Sequence, residues 1–105
     1  DECAEKYSKV NNYIKVVTEN LTRAYSDTEI LLRHLVLPEH VDCCTRPAVK
    51  WVKENIPHVR FNPMFHYTPH YLAYRYPEMN RHLRAQEIER AVEIVLSSGL
   101  EDVLL

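Results

Sequence analysis

From residue 12 to residue 25 the apolar side chains fall at Tyr13, Val16, Val17, Leu21 and Ala24. Steps of three and four line one face of a helix, with Asn11 or Asn12 standing where an N-cap belongs. Ser26-Asp27-Thr28 interrupts the pattern. Glu29 to Leu37 (EILLRHLVL) is then a nearly continuous apolar run, which predicts a strand covered on both faces. Pro38 closes it. Thr45 followed by Pro47 predicts a helix start, because threonine caps and proline is tolerated in a first turn. Ala48, Val49, Val52 and Ile56 line one face of that helix, and Pro57 stops it. His58 to Phe65 reads as a second strand, weakened by Pro63, and Tyr67 to Asn80, dense in Tyr and Pro, reads as an ordered loop. A last helix is predicted from about Arg84 to Ser98 on the stripe Ile88, Ala91, Val92 and Val95, with Gly99 at the left-handed position past its end. Asp102 to Leu105 reads as a short final strand.

The order helix, strand, helix, strand, helix, strand predicts an α/β fold with parallel strands joined by right-handed crossovers. Three strands and three helices are too few for a closed barrel and enough for about half of one. An edge left open is a pairing surface, so a second copy of the chain or strands from a longer protein are expected there, and a homo-oligomer through the open edge is the simplest form.

With 46% hydrophobic and 27% charged residues in 105, the chain has the balance of one globular domain spanning residues 1–105. Its 13 basic residues are scattered among 15 acidic ones, which argues against nucleic acid as a partner. No apolar run approaches the roughly 20 residues of a membrane span, and the first residues do not read as a signal peptide, so no membrane association and a cytoplasmic location are expected. One glycine, Gly99, stands where average usage predicts about seven. Neither G-x-G-x-x-G nor a Walker A loop can therefore be written in this sequence. Cys3, Cys43 and Cys44 make an odd count with two adjacent members, which argues against structural disulfides. No Met precedes Asp1, and the chain is expected to be a piece of a longer protein.

Alternation along a strand puts Leu31, Arg33, Leu35 and Leu37 on one face of the first strand and Arg60, Asn62, Met64 and His66 on one face of the second. The second set is far more polar than Phe61, Pro63 and Phe65, so it should face water or a ligand. Ligands of α/β folds gather at the carboxyl ends of the strands, where His66 lies, and Arg33 can share that cavity. A guanidinium suits a carboxylate or ribose oxygen, and a neutral imidazole donates or accepts beside it. On residue types alone, an ion pair for Arg33 and an exposed loop position for His66 are the commoner outcomes. His40-x-x-Cys43-Cys44 and His66-x-x-x-His70 invite a metal reading, with zinc on His40, Cys43 and His66 or His70 as its form. Vicinal cysteines rarely reach one ion together, so no metal ligands are assigned and the pair is read as a partly buried loop element before the Thr45 helix. A strained vicinal disulfide is a further redox option.

Read as words, CAEKYSKVNNY (Cys3 to Tyr13), RHLVLPEHVDCCTRP (Arg33 to Pro47) and NPMFHYTPHYLAYRYPEMNRHL (Asn62 to Leu83) resemble the C-terminal half of radical S-adenosylmethionine (radical SAM) proteins similar to pyruvate formate-lyase activating enzyme. The resemblance covers almost the whole chain. It implies parallel βα units forming about half of a (β/α)6 partial TIM-like barrel. It also implies, in the full-length protein, S-adenosylmethionine and a [4Fe-4S] cluster on a C-x-x-x-C-x-x-C loop that this sequence does not contain. Such an enzyme cleaves S-adenosylmethionine reductively to a 5′-deoxyadenosyl radical, and its substrate is a glycyl-radical enzyme.

By the same resemblance Arg33 stands where relatives place an arginine near the cofactor, and His66 at a strand end that often holds Gln or His. These two are the cofactor-binding candidates; no catalytic residue is assigned, and this chain alone is expected to be inactive and to bind neither cofactor. Two departures stand out. Arg84 replaces the usual Ser or Thr cap of the final helix, an expected loss of about 1 kcal/mol, and Phe65 replaces a frequent acidic residue beside His66. The alternative is a non-enzymatic interaction domain that uses the open edge or the tyrosine loop to bind a protein.

Overall fold

A computed structural model describes residues 2–8 and 12–105, in two units that meet in sequence at Ile30 and Leu31. The first unit holds helices α1 (Glu2–Ser8) and α2 (Tyr13–Asp27). Asn12 is the N-cap of α2, but it caps with its backbone: it sits in the left-handed region at φ 57° and ψ 29° with no side-chain cap, and its carbonyl accepts the Val16 N–H at 3.1 Å. Asparagine tolerates that conformation better than other side chains. Asn11 lies outside the described residues. No residue of α2 is buried, and Tyr13 and Val16 of its apolar stripe stand about half exposed.

The second unit is built on one strand–helix–strand passage. β1 (Leu31–Leu35) runs into a π-helical turn (Val41–Thr45) and α3 (Arg46–Asn55), and β2 (Arg60–Met64) then pairs parallel with β1 in the register Leu31↔Arg60 to Leu35↔Met64. Two 3-10 turns (Tyr71–Arg75, Pro77–Met79) lead to α4 (Ala85–Ser97). α3 contributes Val49 and Val52 to the core, α4 contributes Ala91, Ile94 and Val95, and Phe61 of β2, 1% exposed, joins them with Val36, Ile56 and Val59.

Among the described residues the expected half of a (β/α)6 barrel is not formed, because their sheet has two strands, β1 and β2. Residues 102–105 make a single parallel bridge, Val103 with Phe61. The Phe61 N–H donates to the Asp102 carbonyl and the Leu104 N–H to the Phe61 carbonyl, both at 2.9 Å. The next bond of such a ladder needs an N–H at residue 63, which is proline and has none. Asn62 Nδ2 takes the Leu104 carbonyl instead, at 2.7 Å. Pro63 thus ends the third strand at one bridge.

Two further expectations are corrected. β1 is covered on one face rather than both, with Leu31 and Leu35 49% and 37% exposed on the other. Thr45 does not cap α3: it is helical itself (φ −66°, ψ −47°) and has no side-chain cap bond, because the π-helical turn runs directly into the helix. The α4 cap fares better than its sequence implies. Arg84 offers no acceptor, but Glu87 reaches back and accepts the Arg84 N–H at 2.9 Å, which is half of a capping box. Gly99 has φ 87°, as its position past α4 requires.

Candidate functional site

The parallel register sets Arg33 directly beside Asn62. Alternation then leaves Leu31, Arg33 and Leu35 on the same open face as Arg60, Asn62 and Met64. Over this face lies an open groove of about 610 Å³ lined by Arg33 and by residues Asn62, Pro63, Met64, Phe65 and His66. The two cofactor-binding candidates therefore share one concavity. Among the described residues neither the Arg33 guanidinium nor the His66 ring has a hydrogen bond or ion pair, so the ion pair that residue statistics favour for Arg33 is not made. A fixed cation and an imidazole offer donors that a carboxylate and ribose hydroxyls take, and Asn62, whose Nδ2 donates to the Leu104 carbonyl, leaves its Oδ1 as an acceptor. Phe65 lines the groove where an acidic side chain would have added an acceptor.

A second constellation lies on the loop that follows β1. His40, Cys43 and Cys44 are spaced three and four apart on one helical turn, and such residues share a face. His40 Nδ1 lies 3.0 Å from Cys43 Sγ, and the Cys43 and Cys44 sulfurs are 3.7 Å apart. The turn is wide because the His40 carbonyl accepts two N–H groups, from Cys44 at 3.0 Å and from Thr45 at 3.2 Å; the second bond, five residues on, defines the π turn. Widening brings two sequence-adjacent thiols to one side. His66 and His70 do not join them in any group of neighbouring ligand atoms among the described residues. The His40-x-x-Cys43-Cys44 spacing is the sequence signal for this cluster, and the adjacency of the two cysteines is what argues against it, since vicinal cysteines rarely reach one ion together. No disulfide is formed by the described cysteines.

Both ends of that loop are anchored. At its start Glu39 adopts φ 62°, and its N–H donates to Glu87 Oε2 at 2.6 Å. Arg81 holds Glu87 in turn, at 2.7 Å, and the guanidinium, reinforced by the bonds from the Arg84 and Glu39 N–H groups, brings the Glu87 carboxyl down to about 2 against its own desolvation. At its end Thr45 is fully buried, and its hydroxyl meets His34 Nε2 at 2.9 Å. Burial pushes the His34 pKa down, so the ring is neutral at pH 7 and has one donor and one acceptor to place. It stacks on Phe61 with ring centres 6.1 Å apart. In the tyrosine loop, Tyr67 donates its hydroxyl to the Met79 carbonyl at 2.8 Å while Tyr74 is 64% exposed.

No protein-family model matches the chain, and no solved structure matches it. An uncharacterized protein of Methanocaldococcus jannaschii is 40% identical over 101 residues, which cover 96% of this chain and 30% of that protein. The chain thus spans about a third of the length of the relative it matches.

Proposed function

We propose that this chain is the C-terminal part of a radical SAM protein resembling the glycyl-radical activating enzymes, acting in the cytoplasm, and that the open face of β1 and β2 lies against S-adenosylmethionine. The observation that carries the reading is the shared groove of Arg33, on β1, and His66, two residues past the end of β2, with no protein partner on either side chain among the described residues. The match to one third of a longer relative agrees with a part rather than a whole.

A [4Fe-4S] cluster held elsewhere in the full-length protein would supply the electron for reductive cleavage of S-adenosylmethionine. This chain does not fit the cluster itself, since three or four thiolates are needed and its loop offers two. What it contributes is binding and orientation. Arg33 meets the methionyl carboxylate or a ribose oxygen as a fixed cation, and His66 and Asn62 hold hydroxyls by hydrogen bonds. The substrate of the whole enzyme on this reading is a backbone glycine of a glycyl-radical partner.

Arg33→Ala and His66→Ala in the full-length protein should each weaken S-adenosylmethionine binding about tenfold or more, in line with the loss of a charge-assisted hydrogen bond. Isothermal calorimetry under anaerobic conditions measures it. Wild-type affinity in both variants overturns the assignment.

A further inference from the structure

We propose that His40, Cys43 and Cys44 form a zinc-binding site on the loop after β1, separate from the groove of Arg33 and His66. Zinc holds thiolates at about 2.3 Å in a tetrahedron, which sets two coordinated sulfurs about 3.8 Å apart. The Cys43 and Cys44 sulfurs are 3.7 Å apart, already at the edge length of that tetrahedron. His40 brings a nitrogen to the same side, at 3.0 Å from Cys43 Sγ, and all three ligand atoms lie within 4.8 Å of one another. An imidazole nitrogen bound at about 2.0 Å sits about 3.5 Å from a coordinated sulfur, so His40 opens by roughly half an ångström on binding.

Three features favour a metal over a vicinal disulfide. The sulfurs would have to close to about 2 Å for that bond, and the π turn that spaces them is fixed by the two bonds to the His40 carbonyl. The nitrogen of His40 has no part in a disulfide and completes a soft donor set. The loop is held at both ends, by Glu39 on Glu87 and by Thr45 on His34, so the donors are arranged before the ion arrives. Cys43 is exposed and His40 and Cys44 are half-buried, which leaves the ion a path in. Binding exchanges two thiol protons for one Zn2+, and the bis-thiolate site is then neutral. Three donors from one loop fill three of the four positions and leave the fourth open to water or another ligand.

Cobalt titrated into the reduced protein under anaerobic conditions reads the site directly. The expected result is a thiolate-to-cobalt charge-transfer band that saturates at one equivalent, is erased by zinc, vanishes in Cys43→Ser/Cys44→Ser, and weakens about tenfold or more in affinity in His40→Gln. A band that persists in the double variant, or no band in the wild type, overturns the proposal. Because the double variant can lose its fold, a second measurement uses the wild type alone: zinc should protect Cys43 and Cys44 from alkylation, mapped by peptide mass. Equal labelling of both with and without zinc overturns the site whatever the variant does. Neither readout depends on S-adenosylmethionine, so the outcome is distinct from that of the Arg33 and His66 test.

Discussion

Thr45 is a polar side chain with no exposure, and its position depends on one bond to His34. A buried donor or acceptor stripped of its partner costs about 1–3 kcal/mol. Thr45→Val keeps the shape and removes the hydroxyl, leaving the half-buried His34 nitrogen without that partner. The variant should lose about 1–3 kcal/mol in urea unfolding, and a midpoint equal to that of the wild type would show the bond to be dispensable. Threonine before a helix is so often a cap that the sequence predicts one at Thr45. Because the π turn makes Thr45 itself helical it cannot stand as a cap, and its hydroxyl meets the half-buried His34 ring instead.

At the scale of elements, the α3 and α4 ranges follow the periodicity closely, since an amphipathic stripe forces a helix wherever its partner lies. The final helix illustrates how an element can recover what one residue loses. Glu87 accepts the N–H groups of Arg84 and Glu39 and the Arg81 guanidinium, tying α4 to the loop that carries His40. Its carboxyl lies near 2 in the folded protein against 4.5 ordinarily. A lowered acid stabilises the fold fully above the unfolded value and loses that contribution as pH falls towards the folded one. The expected contribution, discounted for solvent screening, is about 1–2 kcal/mol at pH 7. Glu87→Gln should remove it, and the gap between wild type and variant in thermal or urea unfolding should shrink by about half from pH 7 to pH 3. A gap that stays constant with pH would show the charge to be irrelevant.

Over the whole molecule, the described parts leave surface that the second unit's own residues do not cover. Parallel sheets are ordinarily buried on both faces, yet here Leu31 and Leu35 are exposed on one. The outer edge of β1 pairs with no strand among the described residues, and an open edge invites a second chain. The isolated chain should therefore self-associate, as a two-fold dimer in the simplest case. Light scattering across a concentration series tests it, and a monomer at the highest concentration overturns it. No described helix is long and apolar enough to cross a membrane.

By itself the sequence determined helices α2, α3 and α4, strands β1 and β2, and the alternation that puts Arg60, Asn62 and Met64 on one face of β2, because periods of 3.6 and 2 are local properties of the backbone. It also determined the break at Gly99, whose positive φ few other residues adopt. Tertiary structure decided what depends on partners distant in the chain. Pro63 ends the third strand only because Leu104 comes to lie opposite it. The hydroxyl of Thr45 goes to His34 because the fold brings β1 against the end of the loop, eleven residues on. Cys43 and Cys44 meet His40 because a hydrogen bond five residues long widens one turn, and hydrogen-bond competition of that kind is settled by packing around the loop rather than by the residues within it.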